Sequence, residues 1–169
     1  MRWFPFVLVA VAAVLLQAGL MPLVEFGDAF PDLLVALLVS FALGVGPAEG
    51  FAAGAVLGLG RDLFSKGPFG LGMAVSAILG WLVSRRRPVA LGERFPARAV
   101  FGFLCSVAMS LALLLPDVVE GCGPAWGFVA RRTLLTAVST SVLAALVGAL
   151  VWRKARWFGL RRRSEFADV

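Results

Sequence analysis

Nine prolines, at positions 5, 22, 31, 47, 68, 88, 96, 116 and 124, all stand at or near the edges of apolar runs. There a missing N–H does least harm to a helix. The runs they separate are Phe4–Met21, Pro31–Leu43, Pro47–Leu63, Phe69–Ser84, Arg98–Leu115 and Phe128–Trp152. A helix needs roughly 17–25 residues to cross a bilayer. Four runs meet that length; the second and fourth are short, and read as half-buried, extended into their connections, or seated in a thinner bilayer. Of all residues 60% are hydrophobic and only 15% charged, against about 45–50% and about 25% in soluble domains. So little polar material does not coat a globule, and the solvent expected is lipid. The fold class predicted is an all-α integral membrane protein of about six transmembrane helices. It forms one domain over residues 1–152, followed by a basic cytoplasmic tail over 153–169.

The first run follows Met1 and Arg2 without a clearly placed small-residue cleavage site, so it reads as a retained span rather than a signal peptide. Lys and Arg total 16 against 10 acids, but in such a chain their placement says more than their sum. One side of a six-span chain holds Arg2, the cluster Arg85, Arg86, Arg87, Arg94 and Arg98, and the tail Arg153, Lys154, Arg156, Arg161, Arg162 and Arg163. The other holds Arg61, Lys66, Arg131 and Arg132. Twelve against four puts both termini on the cytoplasmic side of the membrane. Trp3, Trp81, Trp126 and Trp152 lie near span ends, as an aromatic belt requires. The excess of positive charge therefore points to membrane lipids and not to nucleic acid.

Little in the sequence is equipped for catalysis. Histidine is absent, which removes the commonest general base and metal ligand. No acid pair lies within a span, and no metal-ligand spacing or phosphate loop is present. Catalytic, cofactor and metal sites are all expected to be none. Cys105 and Cys122 read as free thiols, too far apart along a helix to bridge without a fold-back. Glu49 is the one ionisable group near a span interior; one turn into a proline-led helix start, it reads as a carboxylate facing the helix dipole.

The stretch GFAAGAVLGLGRDLFSKGPFGLG, residues 50–72, is different in kind. Gly50, Gly54 and Gly58 recur every fourth residue and share one helix face. In water each interior glycine costs roughly 1 kcal/mol relative to alanine. In lipid, helices associate through the close backbone approach that small residues permit. A packing seam follows, for another helix of this chain or for a partner. A second stripe on the last span, Arg132, Thr136, Thr140, Ala144 and Gly148 with Ser139 nearby, has the same spacing. It suits either helix packing or the wall of a polar path. Arg61 complements a helix C-terminus, whereas Asp62 does not. Asp62 is therefore expected to form an ion pair with Arg131 or Arg132. Asp32, after Pro31, reads as a carboxylate at a helix start. Gly67-Pro68 is a turn signal, and Gly70 and Gly72 bring the next helix back in a tight hairpin.

Taken in order, Pro31, Asp32, Gly46, Pro47, Gly50, Gly54, Gly58, Asp62, Leu63, Gly67, Pro68, Gly70 and Leu71 form a pattern. That pattern resembles the rod-shape-determining protein MreD family. The close match covers about a quarter of the chain, from Phe30 to Gly72. The resemblance implies a fold like the six-helix substrate-binding component of energy-coupling-factor transporters. It further implies a non-enzymatic scaffold of the elongasome, supporting lateral peptidoglycan synthesis and cell shape. MreC, a bitopic protein with a periplasmic domain, is the implied direct partner. MreB, RodA and a class B penicillin-binding transpeptidase are implied in the same complex. The alternative is a vitamin-binding transport component, in which Asp62, Arg131, Arg132 and Trp126 bind a ligand. An enzyme of lipid metabolism ranks third, for want of a nucleophile–base pair.

Overall fold

The computed structural model describes residues 3–20, 31–64, 69–85, 95–119 and 126–153. Among these residues the chain is all helix, with six helices and no strand. Helix α1 spans Trp3–Leu20 and α2 spans Leu33–Ala42. The Asp32 side chain caps α2, accepting from the Val35 N–H at 3.2 Å. Helix α3 spans Pro47–Asp62 and opens on the proline. Its Glu49 carboxylate reaches back to accept from the Gly46 N–H at 3.3 Å, a use of first-turn acid that also meets the positive dipole end.

Helix α4 spans Leu71–Arg85, α5 Phe95–Val119 and α6 Trp126–Arg153. Helix α5 begins three residues before the expected Arg98, with Pro96 in its first turn, and ends past Pro116. Pro116, near the end of the helix, forfeits one ladder hydrogen bond there. Cys105 is buried and free. Cys122, Gly67, Pro68 and the tail after Arg153 lie outside the described residues.

Helix α2 is the axle of the molecule. Nearly every residue from Leu34 to Val45 is buried, and all five other helices pack on it. Ten residues make a helix about 15 Å long, which is half the thickness of a hydrocarbon core. Phe6 on α1 and Phe41 on α2 meet edge to face, their centroids 4.9 Å apart and planes at 82°, a geometry the aromatic quadrupole favours. Around them Ala10, Ala13, Leu38, Ala53 and Leu57 complete one core. A second core joins Val39, Ala42 and Val83 to Cys105 and Met109.

The outer surface departs from that of a water-soluble bundle. Ser40, Ser84 and Thr140 are fully buried, whereas Leu15, Ile78, Leu104 and Leu150 are more than half exposed. In water, contiguous exposed apolar surface of this kind is rare. The segment Gly127–Val151 of α6 is long and apolar enough to cross a membrane, and α1, α2, α4 and most of α5 are shorter apolar helices. On α4, the Arg85 guanidinium lies 5.0 Å from the Trp81 ring centroid, within cation–π range.

Candidate functional site

The glycine face of α3 lies directly on α4. A methyl group added at Gly50 would overlap the Ser84 hydroxyl, and one at Gly54 would overlap the Ser76 carbonyl oxygen. One at Gly58 would come within 2.6 Å of the Gly72 carbonyl oxygen. Helix α4 answers with its own small residues, Gly72, Ser76, Ala77, Gly80 and Ser84, all of them buried. Backbones meet at that closeness only where side chains are missing, so dispersion contacts run continuously along both helices. Ser84 also ties the hairpin to the axle by donating to the Ala42 carbonyl oxygen at 2.8 Å. Of the two occupants expected for the seam, a helix of the same chain fills it.

At the tip of that hairpin, Asp62 has a different partner from the one expected. It is buried, and its Oδ2 accepts from the backbone N–H groups of Gly70 at 2.9 Å and Met73 at 3.0 Å. Gly70 precedes α4 with φ +98°, a conformation open to glycine without strain. Having no side chain, Gly70 cannot cap its own helix. The carboxylate of the preceding helix caps it instead, at the positive end of the α4 dipole. Asp62 forms no ion pair with Arg131 or Arg132, both of which are exposed on α6. The expectation erred because the tight turn brings the positive end of α4 onto Asp62, whose carboxylate takes its backbone N–H groups as partners. Gly72 is small for the same reason: a Cβ there would overlap Asp62 Oδ1.

Asp32 ties four helices together. Its Oδ1 caps α2 and accepts from the Gln17 amide of α1 at 3.4 Å. Its Oδ2 pairs with Arg61 at the end of α3. Its backbone N–H donates to the Thr140 hydroxyl of α6 at 3.0 Å. Gln17 completes the knot by accepting from the Leu34 N–H at 3.1 Å. Both oxygens of the buried carboxylate thus meet donors, as burial of a charge demands.

The α6 stripe packs against its neighbours over part of its length and lines a cavity over the rest. Thr140 packs against α2, and the Ser40 hydroxyl lies 3.5 Å from the Ala144 carbonyl oxygen. Gly148 makes room for buried Arg98 of α5, whose Cδ stands 2.5 Å from where a Cβ would be. Ser139 bonds only within its own helix, to the Leu135 carbonyl oxygen. Toward the other end, Arg132 and Thr136 line a cavity of about 300 Å³ bounded also by Gln17, Asp32, Arg61 and Ser110. Its remaining wall includes Leu113, Leu114, Phe128 and Thr133.

Gln17, Ser40, Ser84 and Ser110 were not singled out from the sequence. Gln17 carried a signal, as the one polar side chain in the run from Phe4 to Met21; a lone amide in an apolar helix needs a partner. Among the described residues no three potential metal-ligating side chains converge. No protein-family model, no curated protein and no solved structure matches the chain.

Proposed function

We propose that this chain is a six-span inner-membrane scaffold, both termini cytoplasmic, which holds the bitopic protein MreC. Through it the chain supports lateral peptidoglycan synthesis alongside MreB, RodA and a class B transpeptidase. The observation that carries the reading is the joint role of the motif residues. Of these, Asp32 knots the helix ends together with Arg61 as its partner outside the motif, while Asp62 and Gly70 form one capped hairpin tip for which the neighbouring Gly72 leaves room. Both devices build a rigid framework and leave no reactive pair exposed.

The membrane setting is supported by the outward leucines and valines and the inward serines and glycines. With alternating helix directions, the ends at Gln17, Asp32, Arg61 and Arg132 share one face, opposite Arg85 and Arg153. The positive-inside bias makes the first of these the periplasmic face. A scaffold of this kind presents apolar helix sides to its partner's single span and periplasmic loops to its soluble domain.

The test is a pull-down from detergent-solubilised membranes with the full chain tagged at a cleavable site. Recovery of a bitopic protein with a periplasmic β-domain in stoichiometric amount is expected. Recovery of a cytoplasmic ATPase and its coupling subunit instead would replace the scaffold with a transport component.

A further inference from the structure

We propose that the cavity between the ends of α1, α2, α3, α5 and α6 binds a phosphate ester carried on a short apolar group, with Arg132 as its anchoring cation. The inference goes beyond the scaffold reading and stands without it. Two arginines against one aspartate leave the lining with one net positive charge. Arg61 is already committed to Asp32, so that charge resides on Arg132. Asp32 has its own oxygens occupied by Val35, Gln17 and Arg61, which lowers its repulsion toward an incoming anion. Among the described residues nothing hydrogen-bonds the hydroxyls of Ser110, Thr133 or Thr136, nor pairs with the Arg132 guanidinium.

One guanidinium and three hydroxyls offer more donors than a carboxylate accepts well, and suit the spread oxygens of a phosphate. Opposite them, Leu113, Leu114 and Phe128 supply an apolar wall. A volume of about 300 Å³ lies at the small end of ligand sites. It takes a head group and the start of a chain, not a whole lipid. Such a group arrives on an anionic phospholipid or on a small soluble phosphate ester.

The full chain, reconstituted in phosphatidylcholine nanodiscs, is titrated with hexyl phosphate, with hexanol and with inorganic phosphate while thermal unfolding is followed. In parallel, native mass spectrometry counts phosphatidylglycerol retained from nanodiscs doped with it. Saturable stabilisation by hexyl phosphate, stronger than by phosphate and absent with hexanol, is expected. Arg132→Gln should weaken it roughly tenfold, the effect of losing a charge-assisted hydrogen bond. Arg131→Gln, which removes an exposed neighbouring charge outside the lining, should change it by less than about twofold. Leu113→Trp fills the cavity without touching a charge and should abolish binding while the chain still melts cooperatively. Phosphatidylglycerol displaced by hexyl phosphate would identify lipid as the source; hexyl phosphate bound without phosphatidylglycerol retention would identify a soluble ester. Equal weakening by both arginine variants, or binding undiminished in the Leu113→Trp chain, would overturn the proposal. Absence of saturation with every probe would overturn it as well.

Discussion

The α3–α4 hairpin and the corner around Asp32 hold the same bundle together in opposite ways. Along the hairpin, Gly50, Gly54 and Gly58 contribute by what they lack, and the contact is continuous backbone on backbone. At the corner, Asp32, Gln17, Arg61 and Thr140 contribute polar atoms, and beside them the packing stops short and leaves a cavity. A close-packed seam stabilises through many weak dispersion contacts and tolerates no added volume. A polar knot stabilises through a few strong contacts and tolerates space around them, because each hydrogen bond needs direction rather than contact area. Rigidity therefore belongs to the seam, and the capacity to accommodate a ligand belongs to the corner.

The sharpest way to break this comparison is to add volume to the seam. Gly54→Ala should destabilise by about 3 kcal/mol, at the upper end of overpacking penalties, because the clash is with backbone that has no rotamer to change. Gly54→Leu should leave no folded monomer on size-exclusion chromatography in detergent. Enlarging the cavity wall with Val129→Leu should have no comparable effect on the elution profile, since that side chain borders empty space. Similar losses from both substitutions would erase the distinction between the two regions.

The knot is tested next. Asp32→Ala removes the cap of α2, the partner of Arg61 and the acceptor for Gln17. Loss of stability of about 3 kcal/mol is expected, combining a cap of about 1 kcal/mol with a partly buried, unpaired guanidinium. Denaturant titration in mixed micelles measures it. Adding Arg61→Leu should recover part of the loss, because the stranded charge goes with its partner. No recovery would mean that Asp32 acts as a cap alone.

How much of each region was legible follows from sequence distance. The seam lies within one helix at a spacing of four, so the glycines announce themselves in a single window. The same window does not say which helix fills the groove; the answering stripe of α4, Gly72, Ser76, Gly80 and Ser84, has the same spacing of four but runs on beyond that window. Asp32 was legible as a cap, since capping is local. Its bonds to Arg61 and Thr140 join residues 29 and 108 apart, and no local rule reaches that far. Asp62 shows the danger in between. Its need for a positive partner was visible, but the partner it took was the end of a helix, which carries no letter in the sequence.

That distinction gives a smaller, sharper effect. Asp62→Ala should cost about 2 kcal/mol by stranding the Gly70 and Met73 N–H groups. Asp62→Asn should keep part of this, because an amide oxygen still accepts. The double variant Asp62→Arg with Arg132→Asp should restore nothing, whereas a true ion pair would survive the exchange of signs. Thermal melting of the three variants in one detergent orders them; rescue by the double variant would reinstate the arginine partner.

The smallest effect tests whether the corner is held by individual bonds at all. Thr140→Val keeps the shape of the side chain, removes one acceptor and leaves the Asp32 N–H without a partner in a buried position. A stranded buried donor costs about 1–3 kcal/mol, and the nearby cavity offers water a route to it, so the lower value is expected. Water entering at Asp32 would sit between the α2 cap and Thr136, within the same lining that holds Arg132. Anion binding in the cavity should then weaken along with stability, although Thr140 itself does not border the space. A change in stability without any change in binding would make the knot and the cavity neighbours only. A change in both would make the polar knot the floor on which the cavity stands.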